Sequence, residues 1–190
     1  IANGFTDKAR RQAQSNVTSL REAIVEKGIP VLATSSTCTF TLRDEYPHLL
    51  DVDNTGLREH IELATRFLWR KLDSGQTLPL GKLPLKVVYH TPCHMEKMGW
   101  SLYTLELLRL IPGLELTVLD SRCCGIAGTY GFKRENYETS QAIGAPLFRQ
   151  IEESGADIVV TDCETCKWQI EMSTSKRCEH PITLLAKALG

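Results

Sequence analysis

The chain has 190 residues, of which 42% are hydrophobic and 24% charged, a composition typical of a globular protein with one large or two small domains. Its formal net charge of −1 gives no support to nucleic-acid binding. No apolar run in the sequence is long enough for a transmembrane helix. The seven cysteines are an odd number, which favours a reducing, cytosolic setting over a disulfide framework.

The first third of the sequence predicts two helices and one strand. Residues 8–27 have the apolar spacing of an amphipathic helix, which Gly28 ends. Residues 30–34 predict a strand, and residues 56–72 predict a second amphipathic helix. Phe67 and Trp69 lie among basic residues of that helix, so one interpretation is that the helix binds to a membrane surface. Its apolar stripe favours packing on a core instead.

Glycines and prolines recur at short intervals in residues 75–84, which predicts a linker. We therefore divide the chain into residues 1–74 and 85–190. The second part predicts buried parallel strands at residues 85–89, 114–119 and 157–161, with crossover helices at 101–110 and 137–153. The predicted fold class is α/β with small parallel sheets.

The two parts of the sequence resemble each other. A shift from position 4 to position 131 places Gly4-Phe5 on Gly131-Phe132 and Leu20 on Leu147. This similarity predicts two repeats of one α/β unit, the first truncated at its N-terminus, in a chain that is part of a longer one. After one residue of slippage in this alignment, Ser35-Ser36-Thr37-Cys38 matches Cys163–Cys166, which places Cys38 at the position of Cys166.

Five cysteines form one pattern: a single residue, an adjacent pair and a C-x-x-C motif. Adjacent cysteines rarely bridge to each other, because the disulfide geometry would be strained. Each group follows a predicted strand, and the carboxyl ends of parallel strands face one crevice. We therefore expect the five thiols to converge as metal ligands. They are Cys93, Cys123, Cys124, Cys163 and Cys166.

Other residues near this pattern have two interpretations each. His90 and His94 flank Cys93 and are suited to donate hydrogen bonds to cluster sulfurs, but a structural role is equally open. Gly125, Gly128 and Gly131 permit either close backbone approach to a ligand or a tight turn. Cys178 fits no part of the pattern and is predicted to be a structural thiol.

The cysteine pattern resembles the cysteine-rich CCG domain family, which includes a heterodisulfide reductase subunit, glycolate oxidase iron–sulfur subunits and lactate-utilisation proteins. Residues 89–100, 131–137 and 162–171 extend the similarity beyond the cysteines. Over the whole chain, the sequence resembles the C-terminal part of an iron–sulfur subunit of a quinone-linked dehydrogenase. A ferredoxin-like region precedes that part in the family.

The resemblance implies a 4Fe–4S cluster, with the non-cubane form of the heterodisulfide reductase relatives as an alternative. The implied metal ligands are the five patterned cysteines, and Cys38 is a further cofactor-binding candidate. No catalytic residue is implied. The implied function is to pass electrons from flavin-containing partner subunits to menaquinone, in a peripheral position on the cytoplasmic face of the inner membrane.

Two other functions fit the same residues. In one, the cluster itself cleaves a disulfide, as in the heterodisulfide reductase relatives. In the other, a redox-inert zinc ion is held in a tetrahedral site by four of the thiols. These four are Cys93, Cys124, Cys163 and Cys166.

Overall fold

The computed structural model describes residue 1 and residues 3–190. Its α-helices are α1 (Thr6–Arg21), α2 (Ser36–Phe40), α3 (Tyr46–Leu50), α4 (Ala64–Asp73), α5 (Cys93–Met98), α6 (Ser101–Arg109), α7 (Tyr137–Glu153), α8 (Glu164–Ser173) and α9 (Pro181–Leu189). Its strands are β1 (Val31–Ala33), β2 (Ile61–Leu63), β3 (Lys86–Tyr89), β4 (Glu115–Val118), β5 (Ile158–Val160) and β6 (Cys178–Glu179).

The strands form two parallel sheets. β1 pairs with β2, with Val31 opposite Ile61, and the larger sheet has the order β4-β3-β5-β6. The prediction of an α/β fold with small parallel sheets is therefore confirmed. The crossover helices α6 and α7 lie where the sequence predicts them.

Helices cover both faces of the larger sheet. Successive residues of a strand point to opposite faces, so β3 sends Val87 and Tyr89 to one side and Val88 to the other. The first side packs with α4, α6 and α9, and the second packs with α7 and α8. β3 and β5 lie in the centre, where Tyr89 and Val160 are fully buried.

β4 differs from the prediction of a buried strand. It is an edge strand of the larger sheet, and most of its residues are exposed. An edge strand has a neighbour on one side alone, so its alternating polar residues, such as Glu115 and Thr117, face water. Its parallel direction, which positions the loop that follows it, is as predicted.

The predicted helix over residues 56–72 is wrong in its first half. A short 3₁₀ turn (Arg58–His60) leads into β2, and α4 begins at Ala64. All three residues of β2 are buried, and they pair with β1, which lies about 30 residues earlier. This non-local pairing prevails over the local helical spacing of the apolar residues.

The N-terminal part shares a core with the larger sheet. α4 packs against α6 and α9, and the ring of Trp69 lies 5.2 Å from that of Tyr103. This agrees with the core-packing interpretation of the helix. The side chains of Arg43 and Arg66 also lie over the ring of Trp100, at 4.7 and 4.4 Å from its centroid.

The segment 76–85 contains neither helix nor strand but is held against the second part. Its Gly81 N–H donates to the carbonyl of Ala188 at 2.6 Å, and Leu83 packs on the same core as α9. The N-terminal part contains two strand–helix units, β1-α2 and β2-α4. The second part ends in two such units, β5-α8 and β6-α9. The two-repeat origin and the boundary at 75–84 stay predictions.

Candidate metal centre

The five patterned cysteines follow three strands of the larger sheet. Cys93 is the first residue of α5, which follows β3, and the adjacent pair Cys123 and Cys124 lies in the loop after β4. After β5, Cys163 caps the N-terminus of α8 and Cys166 lies in its first turn. The carboxyl edge of one parallel sheet thus carries all five residues.

The sulfur atoms of these residues form one contiguous set. The Sγ atoms of Cys124 and Cys166 lie 3.3 Å apart. The thiols of Cys93 and Cys124 lie near enough to Cys123 to shift its pKa, and the thiol of Cys166 shifts the pKa of Cys163. Cys93 and Cys123 are exposed, whereas the other three residues are buried. The set therefore runs from the surface into the core.

The five thiols differ in their acidity. Hydrogen bonds from Cys124 and then Cys93 lower the pKa of Cys123. A hydrogen bond from Cys166 lowers the pKa of Cys163 to about 5. The pKa values of the donating thiols Cys93, Cys124 and Cys166 are raised in turn. Neutral thiols thus separate two thiolates, and a bound metal would displace the remaining protons.

Close contact with α7 shapes the turn at Gly125. The N–H of Gly125 donates to Cys123 Sγ at 3.3 Å, and its φ of +86° is in the left-handed region. A Cβ at this position would lie 2.0 Å from the carbonyl oxygen of Ser140. Gln169 donates to Ser140 Oγ, which donates to the Gly125 carbonyl. The tight-turn role of this glycine applies here, whereas close backbone approach to a bound ligand stays a prediction.

The N-terminal part closes the site on the Cys163 side. Thr37 Oγ1 lies 3.6 Å from Cys163 Sγ and 3.1 Å from His94 Nδ1. The His94 ring stacks on Phe40, with centroids 4.9 Å apart. The sequence did not predict Thr37 as a site residue. Its position in the segment that matches Cys163–Cys166 in the repeat is the signal that could have identified it.

Cys38 is exposed in α2, and its N–H donates to Ser35 Oγ at 3.5 Å. Within residues 3–190, no hydrogen bond joins its sulfur to the five clustered thiols. Its cofactor-binding role stays a prediction. Cys178 is buried in β6 among core residues, and burial raises its pKa to about 12. This environment suits the predicted structural thiol.

His90 lies beside two of the three buried sulfurs of the set. Its ring nitrogen and the Sγ atoms of Cys124 and Cys166 all lie within 4.8 Å of one another. The residue is 1% exposed, and neither ring nitrogen has a hydrogen-bond partner in the described part of the chain. Burial lowers its pKa to about 4, so the ring is neutral near pH 7.

A buried polar network lies behind Cys163, and no pattern in the sequence indicated it. Asp162 is fully buried and accepts hydrogen bonds from Tyr89 Oη at 2.6 Å and Thr104 Oγ1 at 3.1 Å. Thr104 also bonds to Thr65 of α4. Burial raises the pKa of Asp162. The network fixes the residue that precedes Cys163 to both parts of the chain.

Residues 87–171 match the family model of the cysteine-rich domain CCG. The match contains all five clustered cysteines. The chain is 85% identical over its 190 residues to a subunit, designated C, of the anaerobic glycerol-3-phosphate dehydrogenase of Escherichia coli K12, and it spans 48% of that protein. The resemblance predicted from the sequence is confirmed.

More distant relatives share the same region. Lactate utilization protein A of Geobacillus thermodenitrificans is 34% identical over 146 residues, which are 70% of this chain and 58% of that protein. A subunit, designated D, of the dihydromethanophenazine:CoB–CoM heterodisulfide reductase of Methanosarcina barkeri is 27% identical over 195 aligned residues. The alignment covers 97% of this chain and 46% of that protein. The chain spans about half the length of the glycerol-3-phosphate dehydrogenase proteins it matches.

Among the described residues, no helix combines the length and the apolar character needed to cross a membrane.

Gly125→Ala should destabilise the metal-free chain far more than Gly128→Ala. Both residues have positive φ, which costs about 1–2 kcal/mol for alanine. At Gly128 a Cβ meets nothing within 4 Å, whereas at Gly125 it meets a backbone carbonyl. Urea unfolding of the two variants measures the difference in unfolding free energy. Equal losses would show that the contact with α7 does not constrain the turn.

Cys178→Ser should lower stability without changing the amount of metal bound per chain. The serine hydroxyl would be buried in an apolar core, which costs about 1–3 kcal/mol. Metal analysis of the anaerobically purified variant, beside the unmodified chain, measures this. Loss of metal from a variant that still folds would place Cys178 among the ligands.

Proposed function

We propose that this chain is the electron-transfer part of the iron–sulfur subunit of an anaerobic glycerol-3-phosphate dehydrogenase. In this role it passes electrons from flavin-containing subunits to menaquinone. The observation that carries the proposal is the contiguous set of five sulfurs, in a chain 85% identical to part of a subunit of that enzyme.

The residues at the site fit an iron–sulfur cluster. The donor set consists of cysteine sulfurs, which select iron–sulfur clusters, zinc or copper over hard cations. Five thiols exceed the four that a closed zinc site uses. The proposed ligands are Cys93, Cys123, Cys124, Cys163 and Cys166, with Cys38 as a further cofactor-binding candidate. When bound, a 4Fe–4S cluster, cubane or non-cubane, supplies reversible one-electron chemistry.

The protein groups around the thiols have separate tasks in this proposal. The backbone N–H groups of Gly125 and Ile126 stabilise negative charge on the sulfurs of Cys123 and Cys124. The buried positions of Cys124, Cys163 and Cys166 keep water away. The exposed residues Cys93 and Cys123 mark the edge nearest to an electron donor or acceptor.

We place the oxidation of glycerol 3-phosphate on the flavin-containing partner subunits. We also propose that the complex is a peripheral one on the cytoplasmic face of the inner membrane, with menaquinone as the acceptor. α4 does not serve as the membrane contact in this account, because Leu68, Trp69 and Leu72 pack on the core.

A second candidate is reduction of a disulfide at the cluster. The similarity to a heterodisulfide reductase subunit over 97% of the chain favours it. Turnover of a disulfide substrate by the cluster-loaded chain, without any partner subunit, would support this function over electron relay.

In the complete enzyme, Cys124→Ser should abolish electron transfer to quinone, because serine replaces a buried soft ligand with a hard one. Oxidation of glycerol 3-phosphate with an artificial dye as acceptor should continue, because that chemistry lies on other subunits. Both activities are assayed on one preparation, and sedimentation checks membrane attachment. Cys178→Ser, with its thiol outside the cluster, is the matched control.

A parallel fall of dye-linked and quinone-linked activity in an intact, attached complex would contradict the relay proposal. It would mean that the cysteine site takes part in substrate chemistry.

A further inference from the structure

His90 is a buried imidazole whose hydrogen-bonding capacity is unused. Its position is fixed by the sheet, because its backbone N–H donates to the carbonyl of Val160 at 2.9 Å, directly after β3. The residue is 1% exposed. Neither ring nitrogen has a hydrogen-bond partner in the part of the chain that the structure describes.

A buried polar group without a partner is unfavourable, and an apolar side chain would fill the same space at lower cost. The polar atoms grouped with this ring are sulfurs. Its nitrogen lies within 4.8 Å of Cys124 Sγ and Cys166 Sγ, which are themselves 3.3 Å apart. The environment of His90 therefore suggests a role toward whatever these two sulfurs bind.

His94, the other histidine beside Cys93, differs in this respect. Its Nδ1 is hydrogen-bonded to Thr37 Oγ1 at 3.1 Å, and its ring stacks on Phe40. These contacts hold the N-terminal part against the site. The two histidines, which the sequence could not tell apart, thus have different environments.

We propose that His90 donates an N–H···S hydrogen bond to the Cys124–Cys166 sulfur pair of the loaded site and thereby raises the reduction potential. The inference rests on the proposed iron–sulfur function. A neutral imidazole carries one N–H donor, and a donor near a cluster stabilises the additional negative charge of the reduced form. The five thiols already supply the metal ligands, so His90 acts on the site through a hydrogen bond to ligand sulfurs and does not itself bind metal.

The test compares His90→Phe, which keeps an aromatic ring but no donor, with His90→Gln, which keeps an N–H. Iron and sulfide are measured first on the anaerobically purified 190-residue chain, followed by redox titration with electron paramagnetic resonance detection. We expect unchanged iron in His90→Phe and an equilibrium constant for reduction about tenfold lower, a potential about 59 mV more negative. His90→Gln should recover most of this shift.

The control is His48→Phe, which removes an exposed imidazole from α3 and should leave the potential unchanged. If His90→Phe does not fold, His90→Leu provides the same comparison. Equal reduction potentials in the unmodified chain and the apolar variant would overturn the inference about His90 and leave the proposed iron–sulfur function standing. Iron loss from a folded His90→Phe would also overturn it, by making His90 a ligand. An unmodified chain with zinc and no iron would overturn the proposed function as well.

Discussion

The site depends on one electrostatic constraint: sulfur atoms in contact cannot all be thiolates unless a cation lies among them. In the metal-free chain, Cys123 and Cys163 have lowered pKa values, and the thiols that donate to them have raised ones. Such a separation of the two acidic thiols by neutral ones is the arrangement expected when neighbouring like charges disfavour each other. A multinuclear metal centre would relieve the constraint for all five sulfurs together.

The fold around the site fixes two of the loops that bring the sulfurs into contact. The Gly125 turn is fixed by its close packing against α7. The loop that carries Cys163 is fixed by the buried Asp162, which bonds to Tyr89 and Thr104. A polar network of this kind is costly unless every member is paired, so it favours a single arrangement of the loop. Preorganised ligands of this kind suit a centre that exchanges electrons without rearrangement.

The strands and helices whose formation depends on local sequence patterns were predicted correctly. The short apolar runs that became β3 and β5 were identified, as was α7 over residues 137–153. The cysteine spacing together with the strand ends indicated which thiols come together. The helix predicted over residues 56–72 failed where β2 pairs with β1, because apolar spacing alone does not reveal a partner strand.

Features of the site that depend on tertiary packing could not be predicted in the same way. Thr37 reaches Cys163 from a segment 126 positions away along the chain. The sequence suggested roles for His90 and His94 but could not separate them, because their difference lies in burial and hydrogen-bond partners. Cys38, which the repeat matched to the buried Cys166, is exposed.

The central claim is that the five sulfurs hold an iron–sulfur cluster. Iron, zinc and acid-labile sulfide are measured in the anaerobically purified chain, together with its electron paramagnetic resonance spectrum. The account predicts about four iron and four sulfide per chain, no stoichiometric zinc, and a signal that appears or disappears with one-electron redox change. A colourless protein with about one zinc per chain and neither iron nor sulfide would contradict it.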